Sequence, residues 1–215
     1  AWHFSSDGWT RKNENSDNVP LRPLAHISIR DQTWATAAML CLADAVETHQ
    51  GRCDLNFIEA RKAGVFSYGN RLLCDWRENG KAWFRWGNSE TYRKFFTDYQ
   101  NFLTRPLELG RDVVTTKGMN EDVYVVNLDI SQFFNSIDNL ELVKRLKKIV
   151  QQQDANTDEE FWTKFEALTS WKWTSNSQNL AKSSGLKKDA LKLGLPQGLV
   201  ASGFFANAYL CEFDN

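Results

Sequence analysis

The sequence predicts an α+β fold, and three kinds of pattern indicate it. Apolar side chains recur at helical spacing in several stretches, which is typical of amphipathic helices. Residues 71–86 have the pattern of a β-hairpin, with Asn79 and Gly80 at its turn, between residues 72–74 and 82–84. Residues 123–128 are rich in β-branched and aromatic side chains, so we expect a buried strand there.

The composition excludes several classes of protein. The chain has 215 residues, of which 42% are hydrophobic and 25% are charged, which is enough for a full core and argues against disorder. No apolar run approaches the ~20 residues of a membrane helix, and the first residues do not resemble a signal peptide. Four separated cysteines and three histidines argue against a zinc site or a disulfide framework. We therefore expect a cytoplasmic protein without a membrane anchor.

Two helices are predicted in the first half of the chain. The first spans residues 34–49, begins after Asp31 or Thr33, ends at Gly51 and is apolar on nearly every face, which is typical of a helix buried on all sides. The second has an aromatic face and ends at Pro106. That face is more typical of a core than of a platform for stacking bases. It consists of Tyr92, Phe95, Phe96, Tyr99, Phe102 and Leu103.

The second half of the chain contains two capping patterns. Asp138 with Glu141, and Thr157 with Glu160, each predict the start of a helix. The first of these helices would bury Leu142, Val143, Leu146, Ile149 and Val150. Residues 174–185 are rich in Ser and Asn and are expected to be a loop, whereas residues 199–213 are predicted to be helical.

Asp129 is the first candidate for a functional residue. It ends the predicted strand, and residues 130–137 then lead through two phenylalanines into the helix capped by Asp138. A carboxylate at the tip of a buried strand is costly unless it is paired or binds a metal, and Mg²⁺ prefers carboxylate oxygens with substrate phosphates. The alternative is an aspartate that caps the following turn.

A second candidate site lies at residues 194–210. Pro196 and Gly198 predict a turn in which backbone can approach a ligand closely, and Gln197 between them carries both a donor and an acceptor. Ser202, Gly203 and Ala206 then form a small-residue face on the predicted helix. That face suits either a flat ligand or close packing against another helix.

Together the two segments resemble motifs A and B of reverse transcriptases, in that order. Residues 22–24 and 27–32 are similar to the fingers segment of group II intron and related bacterial enzymes, and residues 67–71 resemble their S-Y-G-x-R element. Gly203 and Asn135 depart from the intron enzymes, which usually carry proline and often aspartate there. Residues 43–48 and 202–207 look more like the bacterial defence-associated branch, known as the abortive-infection and unknown groups.

The resemblance implies a role for individual residues. Asp129, with the carbonyl of Ile130, would bind two catalytic Mg²⁺ ions, with Mn²⁺ as an alternative ion. Phe134 would be the steric gate that excludes the ribose 2′-hydroxyl, and Phe133 would belong to the core. The remaining assignments are nucleotide binding by Arg22, Gln197 and Gly198, and template or primer contact by Arg71, Ser202 and Asn207, with a surface ion pair as the alternative for Arg71.

The resemblance also implies an organisation in the manner of a right-hand polymerase. Residues 1–118 and 140–193 would form the fingers, and residues 119–139 and 194–215 a partial palm with an antiparallel sheet and flanking helices. The second aspartate pair, motif C, would follow Asn215 in the remaining C-terminal region of the same protein. The implied partners are dNTPs, an RNA template such as a dedicated non-coding RNA, a DNA primer or product and, as an open alternative, further copies of the chain.

The implied function is RNA-directed DNA polymerisation in bacterial antiphage defence. A group II intron or retron-type reverse transcriptase is the first alternative. The second alternative is a non-catalytic, polymerase-derived protein that binds RNA, although such a protein would be expected to lose Asp129 and Phe134. An RNA-dependent RNA polymerase is disfavoured because Phe134 would exclude ribonucleotides.

Overall fold

The computed structural model describes residues 2–5, 8–11, 24–87, 89–117, 122–155, 157–183 and 194–214. These residues form a mixed α+β fold, as predicted, with small antiparallel sheets and mainly helical packing. The strands are β1 (Trp2–Ser5), β2 (Gly8–Arg11), β3 (Cys74–Trp76) and β4 (Ala82–Phe84). The helices are α1 (Ile29–Gln50), α2 (Phe57–Lys62), α3 (Phe95–Lys117), α4 (Phe133–Ser136), α5 (Asn139–Gln152), α6 (Glu159–Thr169), α7 (Ser175–Ser183) and α8 (Ser202–Asp214).

Two antiparallel hairpins account for the described strands. β1 pairs with β2, and β3 pairs with β4 in a register that places Cys74 opposite Phe84. Gly80 has a φ of 75° in the turn between β3 and β4, a conformation that a residue without Cβ adopts readily. The predicted hairpin around Asn79 and Gly80 is therefore confirmed.

The core lies around α1, which contacts β4, α5, α6 and α8. Met39, Leu42 and Val46 of α1 are completely buried, and the Phe165 ring of α6 packs edge-on against Phe205 of α8 with 5.3 Å between ring centroids. All five apolar residues predicted for the buried face of α5 lie in this core. Among the described residues, none of the helices has the length and apolar character needed to cross a bilayer.

Helix α1 differs from its prediction at its start and on one face. It ends at Gly51 as predicted, but it begins at Ile29 because the Ser28 side chain caps it by accepting from the Asp31 N–H. Trp34, which is 61% exposed, lies with the exposed residues Ala37 and Cys41 along an apolar cavity between α1 and α6. The expectation of burial on all sides is therefore wrong for this face, because no described element covers it.

The other helix starts follow the capping patterns closely. The Asp138 carboxylate accepts from the N–H groups of Leu140 and Glu141, as predicted. At α6 the cap is Asp158 rather than Thr157, whose hydroxyl instead accepts from the Trp162 indole. Residues 175–183, expected to be a loop, form α7, and the predicted final helix begins at Ser202 as α8.

Helix α3 contradicts two expectations. It continues past Pro106 to residue 117, so this proline does not end it. Proline removes the hydrogen bond to the carbonyl of Phe102, and Phe102 is 58% exposed, so water can reach that part of the helix. Tyr92 of the predicted core face precedes α3 and packs against the core. The rest of this face is exposed because no described element packs over most of it; the exposed fractions are 67% for Phe95, 79% for Phe96, 45% for Tyr99 and 50% for Leu103.

Residues 122–130 do not form the predicted buried strand. They have no regular secondary structure, and Tyr124, Val126 and Leu128 are 75–83% exposed. No backbone hydrogen bond joins this segment to another described residue. An extended run becomes a strand only when its N–H and C=O groups pair with a neighbour. That neighbour is missing from the part of the chain that the structure describes.

Candidate functional site

The Pro196-Gln197-Gly198 segment forms a tight bend immediately before α8. Within the bend, the buried Ser202 hydroxyl donates to the Pro196 carbonyl at 2.7 Å. Gly198 has a φ of 113°, and a Cβ there would lie 2.8 Å from the carbonyl oxygen of Ala25. Both the backbone conformation and the close approach of the segment before α1 therefore require glycine at this position.

This bend lies directly against the turn that follows Asp129. The Leu195 N–H donates to the Phe134 carbonyl at 2.8 Å. A Cβ on Gly194 would lie 2.4 Å from the Phe134 oxygen and 2.6 Å from the Ile137 oxygen, so no side chain fits there. Two segments far apart in sequence, each identified separately as a candidate, are thus neighbours in space.

Two side chains from the first half of the chain hold the bend. The Gln32 amide donates through Nε2 to the Gly198 carbonyl at 2.8 Å and accepts through Oε1 from the Val200 N–H at 3.1 Å. The Tyr92 hydroxyl donates to the Val200 carbonyl at 2.7 Å. Burial raises the pKa of Tyr92 from 10.0 to about 12, so this hydroxyl stays a donor even in moderately alkaline solution.

Hydrogen-bond donors remain available at the tip of the bend. The Gln197 carbonyl accepts from the Ala25 N–H at 2.9 Å, and the Gly198 carbonyl is bound by Gln32. In contrast, the N–H groups of Gln197 and Gly198 and the Gln197 side chain make no hydrogen bond to a described residue. A polar ligand at the bend would therefore meet donors and one side-chain amide.

Asp129 is exposed, and it is not at the tip of a buried strand as predicted. Its carboxylate makes no ion pair or hydrogen bond to another described residue, and Ile130 beside it is 51% exposed. Within the described ranges, no group of three His, Cys, Asp or Glu residues could enclose a metal ion. The Asp129 carboxylate is therefore accessible to solvent.

Phe134 and Phe133 lie between this exposed segment and the core. Both rings are half-buried and pack edge-on against each other at 5.8 Å, and Phe133 also contacts Tyr209 of α8 at 6.5 Å. Phe133 packs against the core, as expected for it. Phe134 is the ring whose own carbonyl receives the bond from the bend.

Arg71 forms a buried ion pair rather than a surface one. Its side chain is completely buried, its Nε donates to Glu47 at 2.9 Å and its Nη1 donates to the Ser67 carbonyl at 2.8 Å. Its Nη2 donates to the Gly51 carbonyl, so every guanidinium nitrogen has an internal partner. The alternative of a surface ion pair is therefore wrong, because the ion pair with Glu47 is buried, and the guanidinium has a structural role in this fold.

Ser202 and Asn207 are both on α8 but differ in what they contact. The Ser202 hydroxyl braces the bend and is buried, so it cannot face a template base directly. Asn207 accepts from the Ser67 hydroxyl at 2.7 Å, donates to Gln50 at 3.3 Å and lines a cavity of about 430 Å³ between α3 and α8. Asn70, from the segment of residues 67–71, occupies the space over Gly203, where a Cβ would lie 2.6 Å from its side-chain oxygen.

Sequence reasoning missed Gln32 and Tyr92. Gln32 makes two long-range hydrogen bonds to backbone atoms of residues 198–200 and Tyr92 makes one, and no spacing in the sequence signals such contacts. Arg22 lies outside the described residues. Comparisons of the chain with protein-family models, curated proteins and solved structures find no match. The resemblance to reverse transcriptases therefore depends on the motifs themselves.

Proposed function

We propose that this chain is the nucleotide-binding part of an RNA-directed DNA polymerase of the bacterial antiphage-defence type. The hydrogen bond between Leu195 and Phe134, with the closely packed Gly194, supports the proposal. The resemblance assigns the two segments joined by this contact to one nucleotide pocket. Their contact is what a shared pocket requires, and neither segment predicts it alone.

In this proposal the fingers and partial palm of a right-hand polymerase divide the chain at the residues given above. Asp129 and the Ile130 carbonyl would hold Mg²⁺, or Mn²⁺ in its place. Mg²⁺ commonly binds through one or two carboxylates plus substrate phosphates, so the single exposed carboxylate fits this mode. When bound, the ions supply charge stabilisation for phosphoryl transfer to a primer 3′-hydroxyl.

The bend contributes binding rather than chemistry. The N–H groups of Gln197 and Gly198, which have no partner among the described residues, and the Gln197 amide donate to the incoming nucleotide. The Phe134 ring excludes a 2′-hydroxyl. The partners are dNTPs, an RNA template and a DNA primer or product, in the cytoplasm. Asn207 remains a candidate for template contact through the cavity that it lines.

Replacement of Asp129 by asparagine tests the proposal. In the complete natural protein, given poly(rA), oligo(dT), dTTP and Mg²⁺, we expect Asp129→Asn to abolish dTTP incorporation. Because Asp129 is exposed, its replacement should leave the urea unfolding curve unchanged. The matched control is Asp122→Asn, another exposed aspartate in the same segment, which should keep wild-type incorporation. Equal activity of both variants would contradict the role of Asp129.

A second candidate is a non-catalytic protein that binds RNA. Among the described residues, no group of three His, Cys, Asp or Glu side chains that could hold a metal ion includes Asp129, and this favours the alternative. It predicts that the wild-type protein binds labelled RNA in a gel-shift assay, incorporates no nucleotide with either Mg²⁺ or Mn²⁺, and binds RNA equally well after Asp129→Asn.

A further inference from the structure

Gln32 holds the candidate nucleotide-binding bend from outside it. Its one amide group satisfies an acceptor and a donor two residues apart, the Gly198 carbonyl and the Val200 N–H. The side chain belongs to the first turn of α1, whose later turns carry the fully buried residues Met39 and Leu42. Two hydrogen bonds therefore connect the bend to α1, a helix of the core.

The bend has few backbone hydrogen bonds of its own, so side-chain contacts add to them. Residues 196–201 precede α8, and within them the Leu199 N–H donates to the Pro196 carbonyl at 3.4 Å. Ser202 donates to the Pro196 carbonyl through its hydroxyl at 2.7 Å and to the Leu199 carbonyl through its N–H at 3.1 Å. Ala25 fixes the peptide plane between Gln197 and Gly198, and Gln32 fixes the plane between Gly198 and Leu199. Because each peptide group is planar, the bond from Ala25 sets the direction of the Gly198 N–H, which shares a plane with the Gln197 carbonyl. The bond from Gln32 holds the plane that follows, so Gly198 is restrained on both sides.

We propose that Gln32 is a positioning residue for nucleotide binding, acting through the backbone of the bend without touching the nucleotide. This inference rests on the proposed function. The donors at the tip of the bend must point in fixed directions before a nucleotide arrives, because ordering them at the moment of binding would weaken affinity. Gln32 supplies that order, and Tyr92 adds a second attachment at Val200.

Two variants of Gln32 separate its two hydrogen bonds. Gln32→Met keeps the length of the side chain and removes both bonds. Gln32→Glu keeps an acceptor for Val200 but places a carboxylate oxygen against the Gly198 carbonyl. We expect Gln32→Met to raise the KM for dNTP about tenfold, the size expected from losing one well-placed hydrogen bond, and Gln32→Glu to raise it at least as much. We expect kcat to change less than about threefold, since binding rather than chemistry is affected.

The matched control is Gln151→Met, an exposed glutamine near the end of α5 that makes no hydrogen bond to a described residue through its side chain. It should leave KM, kcat and the melting temperature unchanged. Unchanged KM in both Gln32 variants would overturn the proposal. So would a fall in kcat at constant KM, or kinetic loss that merely follows a lower melting temperature.

A measurement independent of catalysis keeps the proposal testable. Hydrogen exchange followed by mass spectrometry should show faster exchange for the peptide that contains Val200 in Gln32→Met, but not in Gln151→Met. If the wild-type protein incorporates no dNTP, the proposed function fails, and the positioning of a nucleotide fails with it. Faster exchange would then still support the attachment of the bend by Gln32, and unchanged exchange would overturn that as well.

Discussion

Arg71 and Glu47 form a fully buried ion pair that serves the structure. The Glu47 carboxylate accepts from Arg71 and, through its other oxygen, from the Leu72 N–H at 2.8 Å. Arg71 also donates to two backbone carbonyls, so α1, the segment of residues 67–71 and the start of the hairpin are connected by two side chains. A buried charge of this kind is costly to separate from its partner, although the pair itself need not be strongly stabilising.

Removing the charge of Glu47 or Arg71 alone should therefore destabilise the fold strongly. We expect Glu47→Gln to lower the free energy of unfolding by about 3–5 kcal/mol, because the guanidinium stays buried without its counter-charge. The double variant Glu47→Leu, Arg71→Met should lose less than the sum of its single variants. Glu160→Gln breaks an exposed pair with Lys164 and should cost less than about 1 kcal/mol. Urea unfolding measures all of them, and similar losses for Glu47→Gln and Glu160→Gln would contradict this account.

Phe134 is the residue with the clearest functional prediction. In the complete protein we expect Phe134→Ala to increase the use of rNTPs relative to dNTPs, because removing the ring makes room for a 2′-hydroxyl. Primer extension with each nucleotide type measures the ratio. Phe133→Ala is the control, since this ring packs on Tyr209 and its loss should lower stability without changing the ratio. An unaltered ratio in Phe134→Ala would count against a steric gate.

At the scale of elements, the contact between α4 and the segment before the bend requires a residue without a side chain at position 194. Gly194 lies against two carbonyl oxygens of the backbone, which cannot move aside as the end of a flexible side chain could. The Asn139 side chain closes the same junction by donating to the Gly194 carbonyl at 3.2 Å and to the Thr169 carbonyl at 2.7 Å. The start of α5 and the end of α6 are thus connected to the site.

Adding one methyl group should open this junction. We expect Gly194→Ala to lower the free energy of unfolding by about 2 kcal/mol or more, because backbone must shift to admit the Cβ. Urea unfolding measures the loss of stability, and dNTP incorporation measures the effect on the proposed site. Gly69→Ala is the matched control: nothing lies within 4 Å of a Cβ there, so the change should stay within about 0.5 kcal/mol. A Gly194→Ala protein as stable as Gly69→Ala would show that the junction is loosely packed.

For the whole molecule, the cysteines differ in their exposure to solvent, and burial changes the pKa of their thiols. Cys41 is exposed beside the apolar cavity of α1 and α6, whereas Cys53 and Cys211 are buried. Burial raises the pKa of the Cys53 and Cys211 thiols to about 11, from an ordinary value of 9.0. The folded state therefore keeps protons that the unfolded state releases between those two pH values.

Stability should consequently fall as the pH rises through this window. The contribution of these thiols is fully present below pH 9.0 and is lost as the pH rises towards about 11. Urea unfolding at several pH values from 8 to 10 measures the slope. Cys53→Ala should flatten the slope relative to wild type, while Cys41→Ala should leave it unchanged. Equal slopes in all three proteins would mean that other groups account for alkaline destabilisation.

Many elements of the fold could be predicted because their signals act over a few residues. Asp138 caps α5 through N–H groups two and three positions away, Gly51 ends α1, and Asn79 with Gly80 turns the hairpin. The two candidate segments were also identified from their residues. Their contact could not be predicted, because the bond from Leu195 to Phe134 and the tight fit at Gly194 join distant parts of the chain.

By itself, then, the sequence determined the α+β class, the end of α1, the start of α5, the start of α6 to within one residue, and the residue types at Asp129 and the bend. Only the tertiary structure decided that Arg71 is buried, that the aromatic face of α3 is exposed, that residues 122–130 form no strand and that Gln32 holds the bend. Caps and turns depend on hydrogen bonds within one local segment. Burial, strand pairing and long-range attachment depend on which other surfaces are present to be contacted, and a local pattern does not contain that information.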